Sequence, residues 1–144
     1  MYVNPVQNYT TNADNDIIEK FDGTPYRYPF TIRYFRSTGT IRFSRFDGVR
    51  LPQIDSVRSI NDGLIHHIAA VKDGSMLYLY IDGIIDGSIT DNTSTTTMNG
   101  TPIGIAVRPA ASPYNYFTGI VDELSIWNRG LSTEDIRNII SQRL

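Results

Sequence analysis

Apolar and polar residues alternate most regularly between positions 64 and 90, LIHHIAAVKDGSMLYLYIDGIIDGSIT. Two apolar runs meet there at Asp73-Gly74, and the second continues through Asp82-Gly83 into a third. Asp-Gly between such runs predicts tight hairpins, because glycine accepts the positive φ that two-residue turns require. The stretch is therefore an antiparallel meander. Ile68 and Ala70 face away from Ala69 and Val71, so both faces of the first strand are apolar and it belongs mid-sheet. Leu77, Leu79 and Ile81 alternate with Met76, Tyr78 and Tyr80, which predicts one dry and one aromatic face.

The same period recurs upstream. DIIEKF (16–21) is a short strand ending at Asp22-Gly23, and residues 24–29, with Pro25 and Pro29, read as loop. FTIRYFR (30–36) and TIRFSRF (40–46) form a second hairpin around Ser-Thr-Gly, and IDSVRSI (54–60) is a weaker strand. Residues 1–15 are polar, rich in Asn and Thr and without an apolar period, which predicts an arm or linker ahead of a domain spanning 16–144. Downstream, 91–101 is a polar surface loop, PIGIAV (102–107) a strand, RPAASPYNY (108–116) a Pro-rich loop and FTGIVDELSIWN (117–128) the last strand. A helix closes the chain, with Ser132 as N-cap, Asp135 completing a capping box, Leu131 stapling onto Ile136, and Ile136, Ile139 and Ile140 as its apolar stripe. Many short strands and one terminal helix describe an all-β sandwich.

Composition narrows the chemistry. The chain has 144 residues and no cysteine, so disulfides and thiolate metal sites are excluded. No run of eighteen apolar residues occurs, so membrane insertion is not expected. A net charge of −2 conceals an asymmetry: residues 27–58 carry seven arginines against Asp47 and Asp55, a local balance of +5 against −7 elsewhere. Such a patch suits an acidic glycan, and the overall balance is not that of a nucleic-acid binder. Six of the eleven glycines follow an aspartate. Their spacing follows the strand lengths and no D-x-D-x-D-G loop occurs, so they read as turns rather than as calcium ligands. Asn8, Asn92 and Asn99 head N-x-S/T triplets, acceptors only in a eukaryotic secretory pathway.

The run GLIHHIAAVKDGSMLYLYIDG, followed by PIGIA and by FTGIVDELSIWNRGLSTEDIRNI, resembles the laminin G-like modules of the concanavalin A-like lectin/glucanase superfamily. His66, His67, Asp73, Gly74, Tyr80, Asp82, Gly83, Phe117, Gly119, Asp122, Glu123, Asn128, Leu131 and Ser132 fall on that family's motif positions. The resemblance implies a jelly-roll β-sandwich acting as a non-catalytic carbohydrate-binding or adhesion module, extracellular, on a cell surface or on a virus particle. Ile65 stands where the family carries Trp, and two opening strands of the family are not recognisable. Their absence would leave sheet edges open, to be covered by homo-oligomerisation or a neighbouring domain. The alternative is an assembly or decoration domain without a glycan ligand.

Catalysis finds little support. The superfamily's glucanases carry E-x-D-x-x-E, which is absent, and adjacent Asp122 and Glu123 point to opposite faces of a strand. His66 and His67 diverge in the same way and cannot converge on one ion. No cofactor is expected, with calcium as the one candidate. For binding, Arg108, Tyr114, Asn115 and Tyr116 combine aromatic faces, a planar amide and a cation, the mixture that stacks on and hydrogen-bonds sugars. Arg33, Arg42 and Arg45 form a second candidate surface, for acidic glycans or glycoproteins.

Overall fold

The computed structural model describes residues 1–6, 14–23 and 27–142. Ten strands and one helix follow in order: β1 (Tyr2–Pro5), β2 (Asp14–Glu19), β3 (Tyr28–Phe35), β4 (Thr40–Phe46), β5 (Gln53–Asp55), β6 (His66–Asp73), β7 (Met76–Ile81), β8 (Ile84–Thr90), β9 (Gly104–Ile105), β10 (Gly119–Asp122) and α1 (Thr133–Ser141). Two five-stranded sheets result, ordered β10-β1-β6-β7-β8 and β5-β4-β3-β2-β9, and every strand pairing in them is antiparallel. They pack face to face as a jelly-roll sandwich.

Alternation dictates what lies between them. Ile32, Tyr34, Ile41 and Phe43 of one sheet meet Ile68, Leu77, Leu79 and Ile81 of the other in a single apolar core. The first sheet is covered on its other face too, because Ile136 of α1 is fully buried with Val71 and Tyr80. This is why β6 is apolar on both sides. The helix begins as its sequence predicts: the Ser132 hydroxyl accepts from the Asp135 amide at 3.1 Å, and the Asp135 carboxylate accepts from the Ser132 amide at 2.8 Å. Replacing Ser132 with alanine should cost about 1 kcal/mol in urea denaturation. Among the described residues no helix covers the outer face of the second sheet.

Several boundaries differ from the sequence expectation. Residues 2–5, expected in an arm, form β1 between β10 and β6, with Val3 fully buried; residues 7–13 of that arm lie outside the described residues. The burial comes from two strands more than sixty residues away, which no local period reveals. Within the expected loop 24–29, Tyr28 and Pro29 belong to β3 and 24–26 lie outside the described residues. The register shifts between Tyr28 and Thr31, as a proline without an N–H requires. The weaker strand 54–60 is limited to Gln53–Asp55, because the Ser56 hydroxyl accepts from the Ile41 amide at 2.9 Å and donates to the Arg58 carbonyl at 2.7 Å, turning the chain. PIGIAV contracts to Gly104–Ile105, ended by Ala106 at φ +59°. The last strand stops at Asp122, where Glu123 takes φ +48° and leaves Ile126 and Trp127 exposed.

Candidate functional site

The outer face of the second sheet is built around an irregularity in β2. Strict alternation would put Asp16 and Glu19 on opposite faces. Instead the register against β3 shifts between Asp16 and Ile18, so Asp16 pairs with Arg33 and Glu19 with Thr31. A bulge of this kind reverses the facing of everything after it. Ile17 and Ile18 therefore both enter the core, while Asp16 and Glu19 both lie on the outer side, fully buried beneath other side chains.

Two arginines cover them. Arg33 Nε lies 3.0 Å from Asp16 and its Nη2 3.1 Å from Glu19, while Arg108 Nε lies 2.8 Å from Glu19 and 3.0 Å from Asp16. Arg108 reaches this point because its amide donates to the Tyr114 carbonyl at 3.0 Å, closing the 108–114 loop, and the Asn115 carbonyl accepts from the Asp16 amide at 3.0 Å. Aromatic rings flank the cations: the Arg108 guanidinium sits 5.1 Å from the Phe21 ring centre and 4.9 Å from that of Tyr114, and Arg33 sits 5.6 Å from Phe21. The Tyr114 hydroxyl accepts from Arg108 Nη1 at 3.1 Å. Arg33 keeps one terminal nitrogen without a partner among the described residues. The Tyr114 ring, 39% exposed, lies against Arg108, and Tyr116, 56% exposed, is bridged through its backbone to Asp16.

Burial governs the protonation of this cluster. It pushes Glu19 up to about 7, and the nearby Asp16 charge adds to the rise that Arg33 and Arg108 oppose. Asp16 is raised as well, again by burial above all. Against its own burial, Arg108 is held charged by the Tyr114 hydroxyl and the two carboxylates. A carboxyl that binds its proton more tightly when folded contributes stability below the unfolded value, and this is lost as pH rises through about 7. His67 has the opposite sign over a similar range, since burial lowers it to about 4. The readable quantity is therefore a difference. Glu19→Gln should gain on the order of 3 kcal/mol relative to the parent between pH 4.5 and pH 7 in urea denaturation; a constant difference across that range would refute the raised carboxyl.

Gly23 controls the position of Tyr114. It has φ +87°, and a Cβ there would lie 1.9 Å from the Tyr114 hydroxyl oxygen. Gly23→Ala should cost about 1–2 kcal/mol through the backbone alone and should displace Tyr114, which its fluorescence and the denaturation midpoint would both report.

The predicted residues divide accordingly. Arg33, Arg108, Tyr114, Asn115 and Tyr116, assigned in sequence to two surfaces, come together at one. Arg42 is the cross-strand neighbour of Arg33 but is bound by Asp55 at 2.6 and 2.7 Å and lies over Phe35, 4.4 Å from its centre. Arg45 does not join them. It follows Ser44 on the opposite face, where it is buried against Asp91 at 2.6 Å and Thr97 at 3.0 Å and anchors the 91–98 loop. Asp16, Glu19 and Phe21 were missed, because the bulge that gathers the two acids has no sequence signal.

Four of the Asp-Gly carboxylates, those of Asp47, Asp62, Asp82 and Asp86, accept from backbone amides. Asp47 accepts from the amides of Val49, Arg50, Ser94 and Thr95, hydrogen bonds that hold it far below the usual carboxylate range. Asp82 accepts from the His67 amide and contacts His66, which also contacts Asp62. Among the described residues no three His, Cys, Asp or Glu side chains are grouped to hold a metal ion. Asn8 lies outside the described residues, and the Asn99 amide is engaged by the Lys20 and Arg27 carbonyls.

Comparison with curated proteins gives no match. Among solved structures, the IT-sialidase CBM40 of Ruminococcus gnavus has a TM-score of 0.74 at 13% identity, over 96% of this chain and 80% of its own. The same module bound to alpha2,6 sialyllactose has a TM-score of 0.76 at 12% identity, over 96% and 79%. A heptameric SAP-like pentraxin from Limulus polyphemus has a TM-score of 0.70 at 15% identity, over 96% and 66%. At these identities the likeness is one of fold. A laminin G-type family model matches residues 1–137, and the chain belongs to the concanavalin A-like lectin/glucanases superfamily.

Proposed function

We propose that this domain is a non-catalytic carbohydrate-binding module that takes an acidic glycan on the outer face of the β5-β4-β3-β2-β9 sheet. The observation that carries the reading is the pairing of Arg33 with Arg108 over Asp16 and Glu19, beside the exposed rings of Tyr114 and Tyr116. Arginine matches a carboxylate with planar, directed donors, and an aromatic ring stacks on the apolar face of a sugar. The Arg33 nitrogen without a partner among the described residues is the donor such a carboxylate would meet. With Glu19 protonated the cluster carries one net positive charge, which favours an anionic ligand.

The two acids act as positioning residues. Both are fully buried beneath arginines, so neither reaches a glycosidic bond, and the site lacks the pair of accessible carboxyls that hydrolysis needs. Sialyllactose bound to the Ruminococcus module supports the choice of acidic sugars. Binding proceeds without calcium in this reading. No helix among the described residues is long and apolar enough to cross a membrane, and we place the module extracellularly, on a cell surface or a virus particle, where glycans and glycoproteins are met. A glycan array read in calcium and again in EDTA tests this: signal confined to acidic glycans and unchanged by EDTA supports it, and signal on neutral glycans alone, or none, refutes it.

A second reading, an assembly domain without a glycan ligand, draws on β8. This edge strand exposes Ile84, Ile85 and Ile89, a surface suited to self-association. It predicts a solution mass that rises with concentration in light scattering.

A further inference from the structure

Asp16 and Glu19 share their cations. Arg33 comes within 3.1 Å of both carboxylates and Arg108 within 3.0 Å of both, and the Glu19 carboxyl also hydrogen-bonds to Asp16. The acid side chains are 0% exposed, against 13% for Arg33 and 10% for Arg108, so a ligand meets the cations and the acids lie behind them. With both acids ionised the two arginines are fully offset.

The groups that face Glu19 come from three places. β2 supplies Asp16, β3 supplies Arg33 and the Tyr28 hydroxyl, and the 108–116 loop supplies Arg108 with the Tyr114 hydroxyl bound to it. Burial pushes Tyr28 up, so it stays neutral. β9 meets Glu19 at Gly104 and adds no charge, and Arg42 of β4, next to Arg33, is bound by Asp55. An acidic ligand therefore brings a third anion onto two cations. Neither acid can withdraw into water, because β2 is paired at Glu19 on both edges, to Thr31 and to Gly104. An uncompensated charge closed off from water is relieved by protonation. Two carboxyls in one site are an arrangement that holds a single proton readily.

We infer that an acidic glycan binds here together with one proton, taken from solvent by the Asp16–Glu19 pair, so that affinity falls as the medium becomes alkaline. This regulation rests on the glycan reading and adds to it. Burial already raises Glu19 to about 7, which places the coupling in the neutral range. Well below that pH the pair holds its proton in the free chain, and binding takes up none. Above it, each pH unit should weaken binding by up to ~10-fold.

Calorimetric titration of sialyllactose, whose carboxylate is ionised throughout, tests this at about pH 5.5 and about pH 8.5. Affinity should fall at least ~10-fold between them. Repeating the alkaline titration in two buffers of different ionisation enthalpy counts protons without any variant, and on the order of one per glycan is expected. Glu19→Gln carries the neutral form at every pH, so it should bind equally well at both and take up no proton. Parent binding that is flat with pH and independent of buffer would overturn the coupling and leave the glycan reading standing. So would a folded Glu19→Gln chain that keeps the parent's pH slope, since its proton would then sit elsewhere. No binding heat at either pH would refute the glycan reading and the coupling with it.

Discussion

Arg108→Ala should destabilise the domain by about 3–5 kcal/mol, the cost of removing one partner from a buried ion cluster. Arg108 and Arg33 together compensate Asp16 and Glu19, neither of which has access to water. Without Arg108 both acids face a single cation, and the 108–116 loop loses the side chain that ties it to β2. The loss should shrink at low pH, where the two acids, both raised by burial, take up protons and need less compensation. Arg42→Ala is the control. Its partner Asp55 is 47% exposed, so the change should cost under ~1 kcal/mol. Equal effects of the two substitutions in urea denaturation would show that the buried cluster has no special role.

Val3→Asp should be as severe, at more than about 4 kcal/mol, because it buries an unpaired charge between the sheets. Val3 is fully buried in a strand with neighbours on both edges. Val6→Asp, three residues on and 51% exposed, should change stability by less than ~0.5 kcal/mol. A polar arm would tolerate both substitutions alike. The contrast, read from denaturation midpoints, therefore distinguishes a strand integral to the sandwich from a linker.

What the sequence reveals is local. The 66–90 meander, the β3–β4 hairpin and the capped helix are each specified by alternation, Asp-Gly turns or capping residues within a few positions, and all three form as read. β1 escapes notice because its four residues are strand-like only in the company of His66, His67 and the 119–122 segment. The 117–128 run misleads for a different reason: its alternation continues past Asp122, but Glu123 takes φ +48° and turns the chain out of the strand. At the site, sequence supplied Arg33, Arg108 and the two tyrosines as separate features. Their convergence depends on the bulge at Ile17, which brings the acids onto one face, and on the turn at Asn115, at φ +54°. Arg45 was grouped with Arg33 and Arg42 by charge alone, although its odd spacing from Arg42 already set it on the other face.

Calorimetric titration of sialyllactose into the parent chain and into Tyr114→Ala tests the glycan reading most directly, since Tyr114 lies on the rim and is not itself a buried charge. The parent should bind with a Kd at or below about 1 mM, equivalent to ~4 kcal/mol, and Tyr114→Ala should lose at least ~10-fold in affinity while remaining folded. Undiminished binding by a folded Tyr114→Ala, or no heat with the parent at millimolar glycan, would contradict it.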